Sequence, residues 1–411
     1  MNVKRKCFLV CCTLAVLFLF TGISFSQEPK PGDVINSSNV DQYNDYIPLI
    51  LQGYIENGWG IVEPAEIHVR EPGEVDVPQP YIEATEKNAG NVTLSENGSV
   101  SGLVAGLPFP DPKEPNKALK IMWNHYYRWR SDGYTYHDGF YTTTQRKGGS
   151  VTNILTQIDV LFYTHRTSVE PKPVMPNTHG LYFAQYYNMR SGANKDLVTL
   201  TWRYEDPDKD DEMWTYIPTL RRTIRLVSSE RANPVRGTPF TWDDFYGFDG
   251  KVKAYDYTLI GEPEILALAH QRTVIKDSEY DVTGSTYTHG YPHPVFSGPS
   301  DPYEVREMYC VDAVPKDPRH PEQRKTLWIE KAFYKCMYSH VYDKQGNLWK
   351  GQITGALNIK TEQGQPGWTQ GHDSLTDLKN SFWTNTILDE FSANGSLNRN
   401  RFNPASIGSA F

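Results

Sequence analysis

The sequence predicts a β-rich α+β protein in which one large antiparallel sheet packs on a few helices. Three observations carry this. The 411-residue chain holds 26 Tyr, 17 Phe and 10 Trp, bulky side chains that suit a pleated, half-buried surface. Its 28 Pro and 31 Gly supply many turns. Large apolar residues also alternate with period two over short runs, most cleanly at Val198, Leu200, Trp202 and Tyr204 against Leu197, Thr199, Thr201 and Arg203. No repeat of about 20–50 residues is present, which argues against propellers and solenoids.

The first residues read as an export signal. Lys4, Arg5 and Lys6 precede an apolar run from Cys7 to Phe20, and Ser24-Phe25-Ser26 offers small residues where a signal peptidase reads. The run is too short for a permanent transmembrane anchor. Cys11 lacks the small residue that usually precedes a lipidated cysteine. The expected mature chain begins at Gln27 and is periplasmic. Losing three cations makes the formal net charge of −8 more negative still, which argues against a nucleic-acid partner. Only Cys310 and Cys336 remain, and two cysteines in an exported chain most simply form one disulfide, with buried free thiols as the alternative. By length, residues 27–110 read as a mixed segment packing on a main β domain of 111–411.

In the mixed segment Ser38-x-x-Asp41 is a capping box, and Pro48 opens a second short helix ending near Asn57-Gly58. Residues 63–80 are acidic, proline-rich and without helical period, a wrapped connector. Residues 81–89 form a short helix stopped by Gly90, and 92–94 with 100–104 a hairpin around Glu96-Asn97-Gly98. From 113 to 129, Leu119, Met122, Trp123, Tyr126 and Tyr127 make a helical stripe.

Strands follow at 134–145, 154–165, 181–189 and 198–204. After an acidic turn at 205–212, Trp214 and Tyr216 continue the alternation until Pro218 interrupts it, as only an edge, bend or strand end allows. Leu220, Arg222, Ile224 and Leu226 then share one face of a further strand, with Arg221, Thr223 and Arg225 on the other. Residues 242–246 make one helical turn, and 252–260 alternate again. Residues 277–302 form a long loop. Two long strands, 304–314 and 326–342, flank 315–324. A tight turn at 342–347 leads to a strand at 349–359, and an amphipathic stretch at 375–391 precedes a polar tail.

Two runs carry a resemblance. Trp214, Tyr216, Pro218, Arg221, Arg222 and Arg225 are followed by Gly237, Thr238, Phe240, Thr241, Asp243 and Asp244. With AGLPFP at 105–110, they resemble the bacterial family called domain of unknown function 1329. Its members are often labelled outer-membrane lipoprotein-sorting proteins and look related to the LolA/LolB lipoprotein carriers. The resemblance runs from about Pro31 to near the C-terminus. It implies a curved sheet, an incomplete barrel of the LolA/LolB kind, with an apolar cavity between sheet and helices. The implied ligand is a lipid, a lipoprotein acyl chain or another hydrophobic compound. The implied partners are an inner-membrane exporter or an outer-membrane acceptor, with the protein periplasmic or peripheral to the outer membrane. Trp202, Tyr204, Trp214 and Tyr216 would line the ligand face. Arg221, Arg222 and Arg225 would stand at its rim, where planar guanidinium forks meet an acidic head group. The same arginines also read as a solvated or salt-bridged strand face. Asp243-Asp244 fits a helix-start cap.

No catalytic constellation stands out, with no G-x-S-x-G, H-E-x-x-H, CxxC or phosphate-binding glycine loop. No enzyme, no cofactor and no metal site is therefore expected. His289 with His293, the His372-Asp373 pair, and the alternation of Asp206, Asp208, Asp210 and Glu212 read more simply as loop and surface residues. An outer-membrane barrel, or a structural or efflux-accessory protein at that membrane, is a second reading. The prolines, the helical N-terminal third and the unpatterned residues 405–411 weaken the barrel form of it. An envelope hydrolase is a third, without a nucleophile–base pair to stand on. N-terminal sequencing of protein recovered from the periplasm is expected to begin at Gln27; recovery of Met1 would refute the export signal.

Overall fold

The computed structural model describes residues 26–57, 66–147, 152–235, 237–271 and 302–408. The export signal up to residue 25, most of the long loop and the His289–His293 pair lie outside the described residues.

The N-terminal segment holds short elements. Strand β1 (Val34–Ile35) pairs antiparallel with β2 (Ile67–His68). Between them run a 3-10 segment, Val40–Tyr46, and α1 (Leu49–Asn57). Ile50, Leu51, Tyr54 and Ile55 give α1 a buried stripe. Helix α2 (Gln79–Asn88) carries proline in its first turn, where the missing N–H costs nothing. A hairpin of β3 (Thr93–Leu94) and β4 (Val100–Ser101) follows. Helix α3 (Lys117–Tyr127) buries Ile121, Met122 and Trp123.

Two antiparallel meanders build the sheet. The first comprises β5 (Gly133–Arg146), β6 (Thr152–Phe162), β7 (Leu181–Met189), β8 (Val198–Tyr204), β9 (Glu212–Ile217) and β10 (Arg222–Leu226). Next come 3-10 turns at Trp242–Gly247 and Val252–Ala254, then β11 (Tyr255–Gly261) and β12 (Glu264–Ala267). The second meander comprises β13 (Glu304–Pro315), β14 (Arg324–Glu330), β15 (Cys336–Tyr342), β16 (Leu348–Lys360), β17 (Pro366–Asp377) and β18 (Phe382–Ala393). Strand β18 pairs with β5, fusing the two into one 14-stranded sheet of order β10-β9-β8-β7-β6-β5-β18-β17-β16-β15-β14-β13-β11, with β12 also on β13. Its ends do not meet. The expected incomplete barrel is the architecture found.

Three local expectations change. The strand expected at 326–342 is two strands, because the Glu330 carboxylate accepts from the Ala332 and Phe333 amides at 2.6 and 3.0 Å and turns the chain. The amphipathic stretch at 375–391 is the end of β17 and most of β18. Strand β17 is buried on both faces after its first residue, and such a strand loses the period-two signal. The strand expected from Leu220 begins at Arg222, since Pro218–Leu220 is a 3-10 turn closed by Arg221 at φ 49°. Leu220 and Ile224 are 59 % and 41 % exposed, not core.

The C-terminal half of the sheet is covered twice. On one face Ile50, Leu51 and Tyr54 of the N-terminal segment join Met308, Met337 and Ile353. On the other, Ile121 and Met122 of α3 join Phe248, Val311, Leu327 and Ile329. The turn Trp242–Gly247 is fastened by the cap expected at Asp243-Asp244. Thr241 N and Oγ1 donate to Asp244 Oδ2 at 2.8 and 2.9 Å. Lys325 Nζ of β14 donates to Asp244 Oδ1 at 2.5 Å, and Lys350 Nζ of β16 stands 3.5 Å from Oδ2. Burial alone would raise the Asp244 carboxyl, but Lys325 and Lys350 overrule it and hold it well below the usual carboxylate range.

Replacing Asp244 with Asn is therefore expected to destabilise the fold by about 3–5 kcal/mol in urea melts, because Lys350 loses its carboxylate and Lys325 keeps only Glu322. The depressed carboxyl stabilises the native state above its unfolded value of about 3.9, and that part is lost as pH falls below it. Asp244→Asn is expected to flatten this acid limb.

Candidate functional site

The expected ligand face of β8 and β9 is occupied by the chain's own C-terminal segment. The Trp202 and Trp214 rings meet edge to face at 5.0 Å, and Trp202 Nε1 donates to the Phe402 carbonyl at 2.8 Å. Phe402 and Ile407 pack against Val198, Leu200 and Tyr204. Gly408 lies so close to Tyr216 that a Cβ there would stand 2.7 Å from the ring. Lys209 caps the ring of Tyr204.

Arg225 stands opposite Trp214 on this same face, and Arg222 opposite Ile217 on the other. Arg221 and Arg222 are exposed, and Arg225 reaches Glu212 at 3.1 Å. Pro218 begins the 3-10 turn before β10, and Gly237 adopts the left-handed φ of 83° in the loop before Thr241. On the opposite face of β9 and β10, Thr215, Ile217, Ile224 and Leu226 help line a cleft of about 160 Å³. The acidic turn is absorbed locally: Lys253 pairs with Asp208, and Asp211 is buried.

Sequence reading placed Arg203 on a polar strand face. It is fully buried, with Asp211 at 2.9 Å and Asp249 at 3.2 Å. Arg231 reaches Asp211, Asp243 and Asp249 at 3.1, 2.8 and 3.4 Å. This lattice of charge ties the 3-10 segment to β8 and gives Asp243 its role.

A larger groove, about 400 Å³, opens where the N-terminal segment meets the sheet. Its walls are residues 74–77, the α2 side chains Tyr81, Ile82 and Thr85, and Leu107, Trp129, Phe333 and Trp368. The connector expected at 63–80 forms one wall and is clamped to the sheet. Gly73 N donates to Glu304 Oε2 at 2.8 Å, and Arg306 Nη1 donates to the Gly73 carbonyl at 2.7 Å. The AGLPFP run sets the next wall. Gly106 sits at φ 84° against the Thr85 backbone, where a Cβ would collide, and Leu107 N donates to Thr85 Oγ1 at 2.9 Å. Trp129 follows α3 and lies against Gly367, which has no Cβ to obstruct the ring. Trp368 meets Trp129 at 6.5 Å and Phe333 at 4.8 Å, both edge to face. Of these residues, only the neighbourhood was legible in the sequence: the connector, the AGLPFP run and the helix ending at Trp129.

Cys310 and Cys336 are buried free thiols, which corrects the expected disulfide. They lie on β13 and β15, with β14 between them, where their register partners are Trp328 and Ile329. Two strand spacings come to about 9–10 Å, beyond the roughly 7 Å that a disulfide spans. Burial pushes both thiols up to about 12.

Fold and groove together define a class: an open antiparallel sheet wrapped on helices, with an apolar recess at the seam. The same fold occurs in a domain from Vibrio parahaemolyticus named for outer-membrane lipoprotein sorting, at a TM-score of 0.50 and 14 % identity over 71 % of this chain and 99 % of that one. The chain belongs to the DUF1329 family, described as proteins of unknown function, which it matches over residues 34–407. A DUF1329 protein from Desulfovibrio piger is 16 % identical with a TM-score of 0.47, covering 68 % of this chain and 92 % of that one. A LolA superfamily protein from Nitrosomonas europaea is 12 % identical with a TM-score of 0.40, covering 70 % and 97 %. No curated protein matches the chain. Among the described residues, no helix is long and apolar enough to cross a membrane.

In the folded protein both thiols are expected to resist maleimide, and both to be labelled after unfolding without reductant. Labelling of neither in the unfolded, unreduced chain would restore the disulfide.

Proposed function

We propose that the protein is a periplasmic carrier or binding protein for a hydrophobic compound, and not an enzyme. The groove of about 400 Å³ carries this reading. Its size falls within the roughly 300–1,000 Å³ of small-molecule sites, which are also mostly apolar. Its floor is built from Trp129, Phe333 and Trp368, and its charged residues, Glu74, Asp76 and Glu86, are acidic. The lipoprotein-sorting name of the Vibrio domain supports the same reading through a shared fold.

In this reading the arginines act away from the cargo. Arg221 and Arg222 at the start of edge strand β10, with Arg225 on it, present positive charge to an acidic surface on an exporter or acceptor. They also keep a bare edge from pairing with another chain.

The mature protein is expected to bind the dye N-phenyl-1-naphthylamine saturably. Ile82 is 38 % exposed on α2, so Ile82→Glu is expected to fold normally yet weaken dye binding by about tenfold or more, since it brings a charge to an apolar wall. Arg222→Glu is expected to leave dye affinity unchanged. Dye binding that never saturates, or that ignores Ile82→Glu, would overturn the groove as the cargo site.

A further inference from the structure

Beside the groove lies a second, smaller space that shares two of its residues. Trp129 and Trp368 line the groove, and both also line a cavity of about 20 Å³. That exceeds the ~10–15 Å³ that one water needs and suits a compact polar group. Arg128, Arg130 and Lys335 line it as well, and no carboxylate does among the described residues.

The polar atoms around this cavity are unbalanced in one direction. Arg128 Nε, Arg130 Nε, Trp129 Nε1 and Trp368 Nε1 are buried donors without an acceptor, against one unpartnered acceptor, Gln370 Oε1. Buried donors in folded proteins nearly always find partners, so four orphans around one cavity call for a group rich in acceptors.

Charge is unbalanced the same way. Arg128 is 4 % exposed and makes no ion pair among the described residues. Its Nη1 donates to the His125 carbonyl, and its guanidinium stands 5.9 Å from the centre of the Tyr246 ring. Arg130, 8 % exposed at its side chain, lies 3.5 Å from Asp249, which Arg203 and Arg231 already share. Lys335 Nζ donates to the Thr354 hydroxyl and the Cys336 carbonyl. Asp373 is engaged by Gln352 and Gln370, whose amides donate to it at 2.7 and 2.6 Å. Burial, with Arg130 beside it, lowers Arg128 to about 10 against the pull of Asp249, and burial pushes the Lys335 ammonium down against the pull of Asp373. Arg130 is instead held up, against its own burial, by Tyr182 and Asp249.

We propose that this cavity takes the carboxylate of a single-chain amphiphile whose tail lies in the groove, making the cargo a long-chain carboxylic acid. The inference rests on the carrier reading and adds the head-group chemistry to it. Guanidinium and indole N–H groups supply the donors, and the small volume favours a planar carboxylate over a tetrahedral phosphate. The head reaches the cavity past the two indoles, so tryptophan emission should respond to it.

The test titrates the mature chain with dodecanoate, methyl dodecanoate and dodecyl phosphate, each below its self-association concentration, by calorimetry and tryptophan fluorescence. Dodecanoate is expected to bind about tenfold or more tightly than its ester. Arg128→Gln is expected to weaken the acid and leave the ester unchanged. Should that variant fail to fold, Trp368→Phe removes one donor and keeps an aromatic ring; because that ring also borders the tail, its readout is the ratio of acid to ester affinity by calorimetry, which is expected to fall. Equal binding of acid and ester would overturn the head-group assignment and leave the carrier reading standing. Tighter binding of the phosphate would overturn the choice of carboxylate. Binding of none of the three would overturn both readings.

Discussion

The pairing of β5 with β18 is the contact on which the rest of this structure depends. It joins the first meander to the last strand of the second, from Arg146 opposite Phe382 to Tyr134 opposite Ala393, with one register shift between Leu388 and Glu390. Polar groups fasten both ends of the seam. Thr144 Oγ1 donates to the Trp383 carbonyl at 3.0 Å, and Asn394 N donates to the Gly133 carbonyl at 2.7 Å. Trp129 lies just before β5, and Trp368 lies on β17 beside β18. The indole pair at the floor of the groove thus exists only because this distant pairing forms.

Burial of both sheet faces follows from the same joining. So large a sheet cannot leave its apolar face to water, and short helices and 3-10 turns cover it where the chain crosses between meanders. Those coverings are polar enough to need anchors. Asp244 with Lys325 and Lys350, and Arg203 and Arg231 with Asp211 and Asp249, anchor the segment from Trp242 to Ala254. Buried ion pairs contribute little net stability against apolar replacements, but removing one partner strands the other. They hold one arrangement of the inner wall, while the groove lies where the covering is an extended connector fixed at Gly73.

The two ends of the sheet are managed differently. Strand β11 is shielded by α3, with Tyr255 buried and Tyr257 packed against the same cluster. Strand β10 is short and exposed, and charge rather than cover protects it. The family-like arginine run therefore marks a surface, and the AGLPFP run marks the groove.

Much of the fold was legible in the sequence. Alternation located β8, β9 and β11, Asp243-Asp244 announced a cap, and the motif runs pointed to the incomplete barrel. These are local signals, set by side-chain period and turn chemistry. The candidate site was legible only as neighbourhoods, because its walls come from residues 74–77, 107, 129, 333 and 368, which only the β5–β18 seam assembles. Alternation separates two strand faces but does not say what covers each. Trp202 and Trp214 therefore read as a ligand face and lie under the C-terminal segment, while Arg203 read as polar surface and is buried. The cysteines follow the same rule. An exported pair suggests a disulfide, but the strand between β13 and β15 keeps the two sulfur atoms apart, and only the order of strands in the sheet decides that.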